Sequence, residues 1–276
     1  MKDQDFDAVI AAALQEDVPH GDVTSESVIA ADSVSQAVLL AKSDGVLAGI
    51  EVAERVFQML DPEVIFSAHF SDGDPFASGD RLASIRGNSV SLLKGERTAL
   101  NFLQRLSGIA SLTRRYVLAL EGTSTRLLDT RKTTPGLRRL EKYAVRMGGG
   151  QNHRMSLSDM VMLKDNHIRL VGSIREAVSR AREKIDYGIR IEVETTSLEQ
   201  VREAVESGAD MVMLDNMSGE EMSRAVQWVG GRVPLEVSGN VDLGNIRTIA
   251  ELGADYVSVG RLTHSFESLD ISMEFL

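Results

Sequence analysis

The chain has 276 residues, with 41 acidic against 30 basic side chains, a formal net charge of −11 and an apolar share of 43%. That length suits one large α/β domain or two smaller ones, and the lack of cysteine excludes disulfides, a thiol nucleophile and thiolate metal sites. The acidic balance argues against broad nucleic-acid binding, no apolar run approaches the roughly 18 residues of a membrane span, and the acidic stretch from Met1 to Asp7 lacks a signal-peptide core, so a cytoplasmic protein is expected.

Phe6, Val9, Ile10, Ala13 and Leu14 recur at three- and four-residue spacing and predict a short helix over 5–16. Pro19-His20-Gly21-Asp22 is a turn. A strand is expected over 34–42 and a helix over 51–60, with tight turns at Asp72-Gly73-Asp74 and Ser78-Gly79-Asp80. Strands and helices mix here without steady alternation, as in a separate α+β domain. Residues 89–120 predict two helices, split near Ser107-Gly108. On the first, Leu92, Leu93, Ala99, Leu100, Leu103 and Leu106 form an apolar stripe. At 100° per residue Arg97 lies about 40–60° from Leu93 and Leu100, at the margin of a buried face. A cation there needs a partner in this chain, another subunit or a ligand.

From residue 125 the texture changes. Six short apolar runs start at Thr125, Met160, Ile189, Met211, Pro234 and Tyr256, most of them separated by helical stretches. Such βα units imply parallel strands wound into a sheet or barrel. Glu206-Ser207-Gly208-Ala209-Asp210-Met211-Val212 echoes Glu251-Leu252-Gly253-Ala254-Asp255-Tyr256-Val257, each with a glycine closing a helix before a strand. Six strands are fewer than the eight of a full α/β barrel, so a smaller or open barrel is expected.

The charge is concentrated. Between Arg126 and Arg154 stand eight basic and two acidic residues. A positive island in a negative protein is a candidate anion site. Arg138, Arg139, Lys142 and Arg146 have the spacing of a solvated helix face, whereas Arg131, Lys132 and Arg154 lie beside strand ends or glycines. Each apolar run also ends in polar or glycine residues, and in α/β barrels those ends share one mouth. They are Asp129-Thr130-Arg131-Lys132, Lys164-Asp165-Asn166-His167, Glu194-Thr195-Thr196, Asp215-Asn216, Ser238-Gly239-Asn240 and Gly260 leading to His264.

Glu194 and Asp215 near an anionic ligand suggest Mg²⁺; the plainer roles are helix N-caps or partners for Lys164. Glu192 shares a strand face with Glu194 and reads as a structural ion-pair partner. Ser238-Gly239 and Gly260 have the form of phosphate-gripping turns. Gly148-Gly149-Gly150 allows close backbone approach, or is simply a flexible loop. His153 has no ligand motif around it and is either structural or part of a substrate site. Lys164 is a Schiff-base nucleophile or a fixed charge.

The run Asp129-Thr130-Arg131-Lys132-Thr133-Thr134-Pro135-Gly136-Leu137-Arg138 is followed by Glu141-Lys142-Tyr143-Ala144-Val145, Gly148-Gly149-Gly150, Asn152-His153-Arg154 and Lys164-Asp165-Asn166-His167. Together they resemble the quinolinate phosphoribosyltransferases. Gly21-Asp22-Val23-Thr24, Glu96-Arg97-Thr98-Ala99-Leu100-Asn101, Leu214-Asp215-Asn216 and Leu262-Thr263-His264-Ser265 extend the resemblance over nearly the whole chain. Asn240, where a second glycine is usual, and Arg261, where a small residue is usual, depart from the pattern. The resemblance implies an α/β fold, with an N-terminal α+β sandwich-like domain over 1–108 and an incomplete, about six-stranded parallel α/β barrel over 109–267. The tail 268–276 would pack on the first domain.

It also implies a homodimer, or a higher oligomer built from dimers, whose barrel mouth is completed by the neighbouring subunit. The reaction implied joins quinolinate to phosphoribosyl pyrophosphate with Mg²⁺, giving nicotinate mononucleotide, pyrophosphate and CO₂ in NAD synthesis. Catalytic roles fall to Lys132, Lys164, Glu194 and Asp215, with Mg²⁺ at Glu194 and Asp215. Substrate binding falls to Arg131, His153, Arg154, Ser238, Gly239, Gly260, His264 and a neighbour's Arg97. A related phosphoribosyltransferase-like protein associated with molybdate transport is the alternative implied.

Overall fold

The computed structural model describes residues 6–276. In chain order the elements are α1 (Asp7–Asp17), α2 (Val23–Val28), β1 (Val34–Ala41), β2 (Gly45–Val46), α3 (Ile50–Leu60), β3 (Ile65–Ala68), β4 (Pro75–Phe76), β5 (Arg81–Asn88), α4 (Ser89–Ala119), β6 (Arg126–Leu128), α5 (Arg138–Met147) and β7 (Val161–Leu163). They continue as α6 (Asp165–Val171), α7 (Ile174–Arg182), β8 (Ile191–Thr195), α8 (Leu198–Glu206), β9 (Met211–Asp215), α9 (Gly219–Val229), β10 (Leu235–Ser238), α10 (Ile246–Glu251), β11 (Tyr256–Ser258), α11 (Arg261–His264) and β12 (Ile271–Phe275). The helix expected from residue 5 forms as α1; its first expected residue, Asp5, lies outside the described residues.

The chain divides into two compact units. The first holds residues up to Arg114, Thr133–Gly149 and Thr263–Leu276. Its main sheet is antiparallel, in the order β12-β1-β5-β3. The C-terminal tail is therefore an edge strand of this unit, with Ala41 paired to Ile271. Leu39, Phe57, Leu82, Ile85, Leu92, Leu103 and Leu106 are almost wholly buried and form its core.

The split expected at Ser107-Gly108 does not occur, since α4 is one 31-residue helix. Both residues serve packing. Ser107 Oγ accepts the Ala48 N–H at 3.1 Å. A Cβ on Gly108 would lie 2.2 Å from the Glu267 carbonyl oxygen. A glycine within a helix costs roughly 1 kcal/mol against alanine; here that cost admits a neighbouring backbone rather than ending the helix. The solvated basic face expected on the helix after Pro135 is corrected at Lys142, while Arg139 and Arg146 are exposed as expected. Lys142 and Glu141 are fully buried in α5, and Tyr143 is buried. Glu141 pairs with Arg105 and accepts the Thr134 N–H at 3.0 Å, and Tyr143 donates to Asp72 at 2.6 Å. Charge along a sequence does not show which charged side chains a helix buries.

The second unit holds Arg115–Lys132 and Gly150–Leu262. Six parallel strands lie in the order β6-β11-β10-β9-β8-β7. The two end strands, β6 and β7, do not pair, so the barrel is incomplete. A single parallel bridge, Leu128 to Gln151, adds the start of the 151–154 segment along β6. Serines cap the connecting helices: Ser173, Ser197 and Ser218 each accept the N–H of the residue three places on, a standard N-cap arrangement. The internal echo has a physical reason. Asp210 Oδ2 accepts the Ile191 N–H at 2.7 Å and Asp255 Oδ2 accepts the Leu235 N–H at 2.8 Å. Each aspartate stands just before its own strand and fixes the start of the strand beside it.

Candidate active site

Parallel strands that alternate their side chains present every second residue to the same face. The inner face receives Met162 and Lys164 from the end of β7, Glu194 from β8, Met213 and Asp215 from β9, Glu236 and Ser238 from β10, and Ser258 from β11. The loop after β6 adds Arg131 and Lys132, and the segment before β7 adds His153 and Arg154. These side chains line one cavity of about 620 Å³. Strand order distributes the charge. The cations come from the two unpaired ends of the sheet, β6 and β7, while the carboxylates come from within it.

Asp129 holds the loop that carries the cations. It is fully buried, accepts the His153 N–H at 2.8 Å and accepts Asn152 Nδ2 at 2.6 Å. Arg154 donates to the Met160 carbonyl at 3.0 Å. Burial, then the nearby charge of Arg131, lowers its pKa. Lys164 Nζ sits 2.5 Å from Glu194 Oε2. Glu194 thus takes the plainer role of partner for Lys164, while Asp215 accepts Asn216 Nδ2 at 3.0 Å. This ion pair suits the fixed-charge reading of Lys164.

His153 forms the floor of the site. Nδ1 accepts the Arg154 N–H at 2.7 Å. Nε2 lies 3.1 Å from Glu192 Oε2 and 3.3 Å from Glu236 Oε2, and both carboxyls are fully buried. Burial pulls the imidazole pKa down, but hydrogen bonds and charge from Glu192 and Glu236 outweigh it and raise the pKa from 6.5 to about 9. The Nδ1 contact opposes a second ring proton by the worth of one hydrogen bond, about 1 kcal/mol. In either ring form Nε2 keeps its proton. Burial and the neighbouring Glu236 in turn raise the pKa of Glu192, against the effect of His153. The three groups lie within 4.8 Å of one another.

Nine expected site residues therefore meet: Arg131, Lys132, His153, Arg154, Lys164, Glu194, Asp215, Ser238 and Gly239. Gly260 belongs to the same unit but does not line the cavity. Arg97 and His264 belong to the other unit, where both are exposed. Arg97 makes no hydrogen bond or ion pair with the described residues, and lies beside the buried Thr98, Ala99 and Leu100. Sequence reasoning missed Glu236, Met213, Met162 and Ser258. Strand alternation would have found Glu236, two residues before Ser238, just as it placed Glu192 two before Glu194.

Fold and site together define an incomplete α/β barrel whose mouth is lined by cations and carboxylates. A family model described as the quinolinate phosphoribosyl transferase C-terminal domain matches residues 109–274, and the corresponding N-terminal model matches 22–107. The chain belongs to that family. It is 44% identical over 259 residues to a Bacillus subtilis protein named as a probable nicotinate-nucleotide pyrophosphorylase, covering 94% of this chain and 89% of that one. It is 42% identical over 289 residues to a chloroplastic Arabidopsis thaliana nicotinate-nucleotide pyrophosphorylase, covering 98% and 82%. Among solved structures, NadC from Streptococcus pyogenes matches with a TM-score of 0.95 at 48% identity, covering 98% of this chain and 97% of that one.

Proposed function

We propose that this chain joins quinolinate to phosphoribosyl pyrophosphate, releasing pyrophosphate and CO₂ and leaving nicotinate mononucleotide, a step of NAD synthesis. The observation that carries this reading is a single cavity with cations at the open edge of the sheet and carboxylates within the sheet. Relatives at 40% identity named as decarboxylating quinolinate phosphoribosyltransferases support it.

Quinolinate carries two adjacent carboxylates. Arg131 and Arg154 grip them, since guanidinium forks bind carboxylates bidentately. His153 Nε2 stays on its two glutamates and fixes the floor beneath. Lys132 and Lys164 add positive charge around the dianion. The backbone at Ser238-Gly239 holds the phosphate end, with Gly239 at φ 91 and no side chain to block its N–H.

Departure of pyrophosphate leaves cationic character at the anomeric carbon, which Glu194 and Asp215 stabilise electrostatically. The pyridine nitrogen attacks that carbon, and the C–O bond to pyrophosphate breaks with its electron pair on the leaving group. The ring is now cationic. The bond from the ring to the 2-carboxylate then breaks, CO₂ leaves, and its electron pair stays on the ring carbon beside the positive nitrogen. A proton taken up there completes nicotinate mononucleotide. No protein nucleophile is needed.

Glu194 and Asp215 offer two oxygen donors at neighbouring strand ends, which fits Mg²⁺, an ion that takes one or two carboxylates and completes its shell with water and substrate phosphates. When bound, Mg²⁺ would supply charge neutralisation on pyrophosphate. A homodimer completes the arrangement, with the exposed Arg97 serving the neighbouring subunit's cavity. The test is to incubate the protein with quinolinate, phosphoribosyl pyrophosphate and Mg²⁺ and to separate the products. Nicotinate mononucleotide is expected. Its absence, with borohydride trapping a carbonyl substrate on Lys164, would assign the site to an aldolase.

A further inference from the structure

Asn216 and Asn240 follow the ends of β9 and β10, at φ 54 and φ 51, and are the only non-glycine residues at positive φ among the described residues. Such a backbone costs roughly 1–2 kcal/mol for an ordinary side chain, and asparagine bears it best. Two neighbouring strand ends carry this cost, and their side chains show what it supports. Asn216 Nδ2 donates to Asp215 Oδ2 at 3.0 Å. Asn240 Nδ2 donates to Asn216 Oδ1 at 3.1 Å. The Asn240 carbonyl accepts Asn245 Nδ2 at 2.8 Å, and Asn245 Oδ1 accepts the Asp242 N–H at 2.9 Å. The seat is tight: a Cβ on Gly239 would stand 2.2 Å from Asn216 Oδ1.

The direction of the relay is forced. An ionised carboxylate only accepts, so Asn216 must turn its NH₂ to Asp215. Its Oδ1 then faces Asn240, which must donate.

We propose that Asn240 is a positioning residue that acts through Asn216 to hold the Asp215 carboxylate in one orientation at the cavity. A carboxylate at a strand end otherwise rotates about its side-chain bonds. The relay engages Oδ2 and turns the carboxylate as a unit toward the phosphoribosyl end. This inference rests on the reading of Asp215 given above, and its test separates the two.

Two variants address it. Asn240→Gly keeps the left-handed backbone at lower cost and deletes the amide. Asn240→Asp keeps shape and backbone but can only accept, so Asn216 turns its NH₂ away from Asp215 and presents an oxygen to it. For Asn240→Gly the melting temperature should hold or rise, while kcat falls about tenfold, the worth of one hydrogen bond acting in the transition state. The KM for quinolinate should be unchanged. Asn240→Asp should lose more kcat than Asn240→Gly. A crystal structure of Asn240→Gly should show the Asp215 carboxylate rotated from its wild-type orientation.

Wild-type kcat in both folded variants overturns the proposal. So does a fall in kcat that tracks a fall in melting temperature, which a merely structural role predicts. If wild-type protein makes no nicotinate mononucleotide, the functional reading fails by itself, and the carboxylate orientation in Asn240→Gly still decides the positioning role.

Discussion

Arg131 and Arg154 are the cations most directly tied to the substrate in this account. Replacing either with alanine should weaken quinolinate binding by roughly 1.5–3 kcal/mol, the range for hydrogen bonds to charged groups, and change phosphoribosyl pyrophosphate binding less. Titration calorimetry checks this, and the opposite ranking would reverse the two ends of the cavity. His153 sets a pH dependence. Its folded pKa is raised from 6.5 to about 9, so the stability it contributes is complete below about pH 6.5 and is lost as pH rises through about 9. The melting temperature of wild-type protein should therefore fall between pH 6.5 and 9.5 by more than that of His153→Gln. Parallel curves would show that the ring does not titrate with folding. Arg131, Lys132, Lys164, Glu194 and Asp215 were legible in the sequence because each follows or closes an apolar run at a fixed offset. Glu236 carried the same mark, two residues before Ser238 on one strand, but the asparagine relay did not, since backbone handedness leaves no local signal there.

At the scale of elements, the six strands of the second unit were readable from short apolar runs bounded by turn residues, and the Gly-Ala-Asp echo proved to be a strand-fixing device. The long helix α4 was not readable as one helix, because Ser107-Gly108 has the composition of a break. Only the approach of the Glu267 carbonyl explains the glycine. Gly108→Ala tests this. Intrinsic propensity alone favours alanine by roughly 1 kcal/mol, whereas forcing atoms into a filled space costs typically 1–3 kcal/mol. Thermal melts should show a net loss of stability. A gain would mean that Gly108 weakens the helix for no packing reason. The burial of Lys142 within α5 was equally invisible, since its neighbours Arg139 and Arg146 are exposed and the charge pattern is that of a surface.

The whole molecule is proposed to act as a dimer, with Arg97 of one copy serving the cavity of the other. Arg97→Ala and Arg154→Ala proteins, each weakly active alone, should regain activity when mixed under conditions of subunit exchange, because one site in each hybrid dimer is intact. Exchange without recovered activity would place Arg97 outside the site.

This cavity is proposed to carry out decarboxylating phosphoribosyl transfer through the carboxylates at the ends of β8 and β9. The most direct measurement follows CO₂ released from quinolinate labelled at its 2-carboxylate, with nicotinate mononucleotide counted alongside. Wild-type protein should release the label only when phosphoribosyl pyrophosphate is present, mole for mole with nucleotide. Glu194→Gln and Asp215→Asn should lower turnover about a hundredfold, roughly 2.7 kcal/mol, with quinolinate affinity and melting temperature little changed, as expected of groups that act most strongly in the transition state. Label released without phosphoribosyl pyrophosphate, or near-wild-type turnover in both variants at saturating Mg²⁺, would contradict the account.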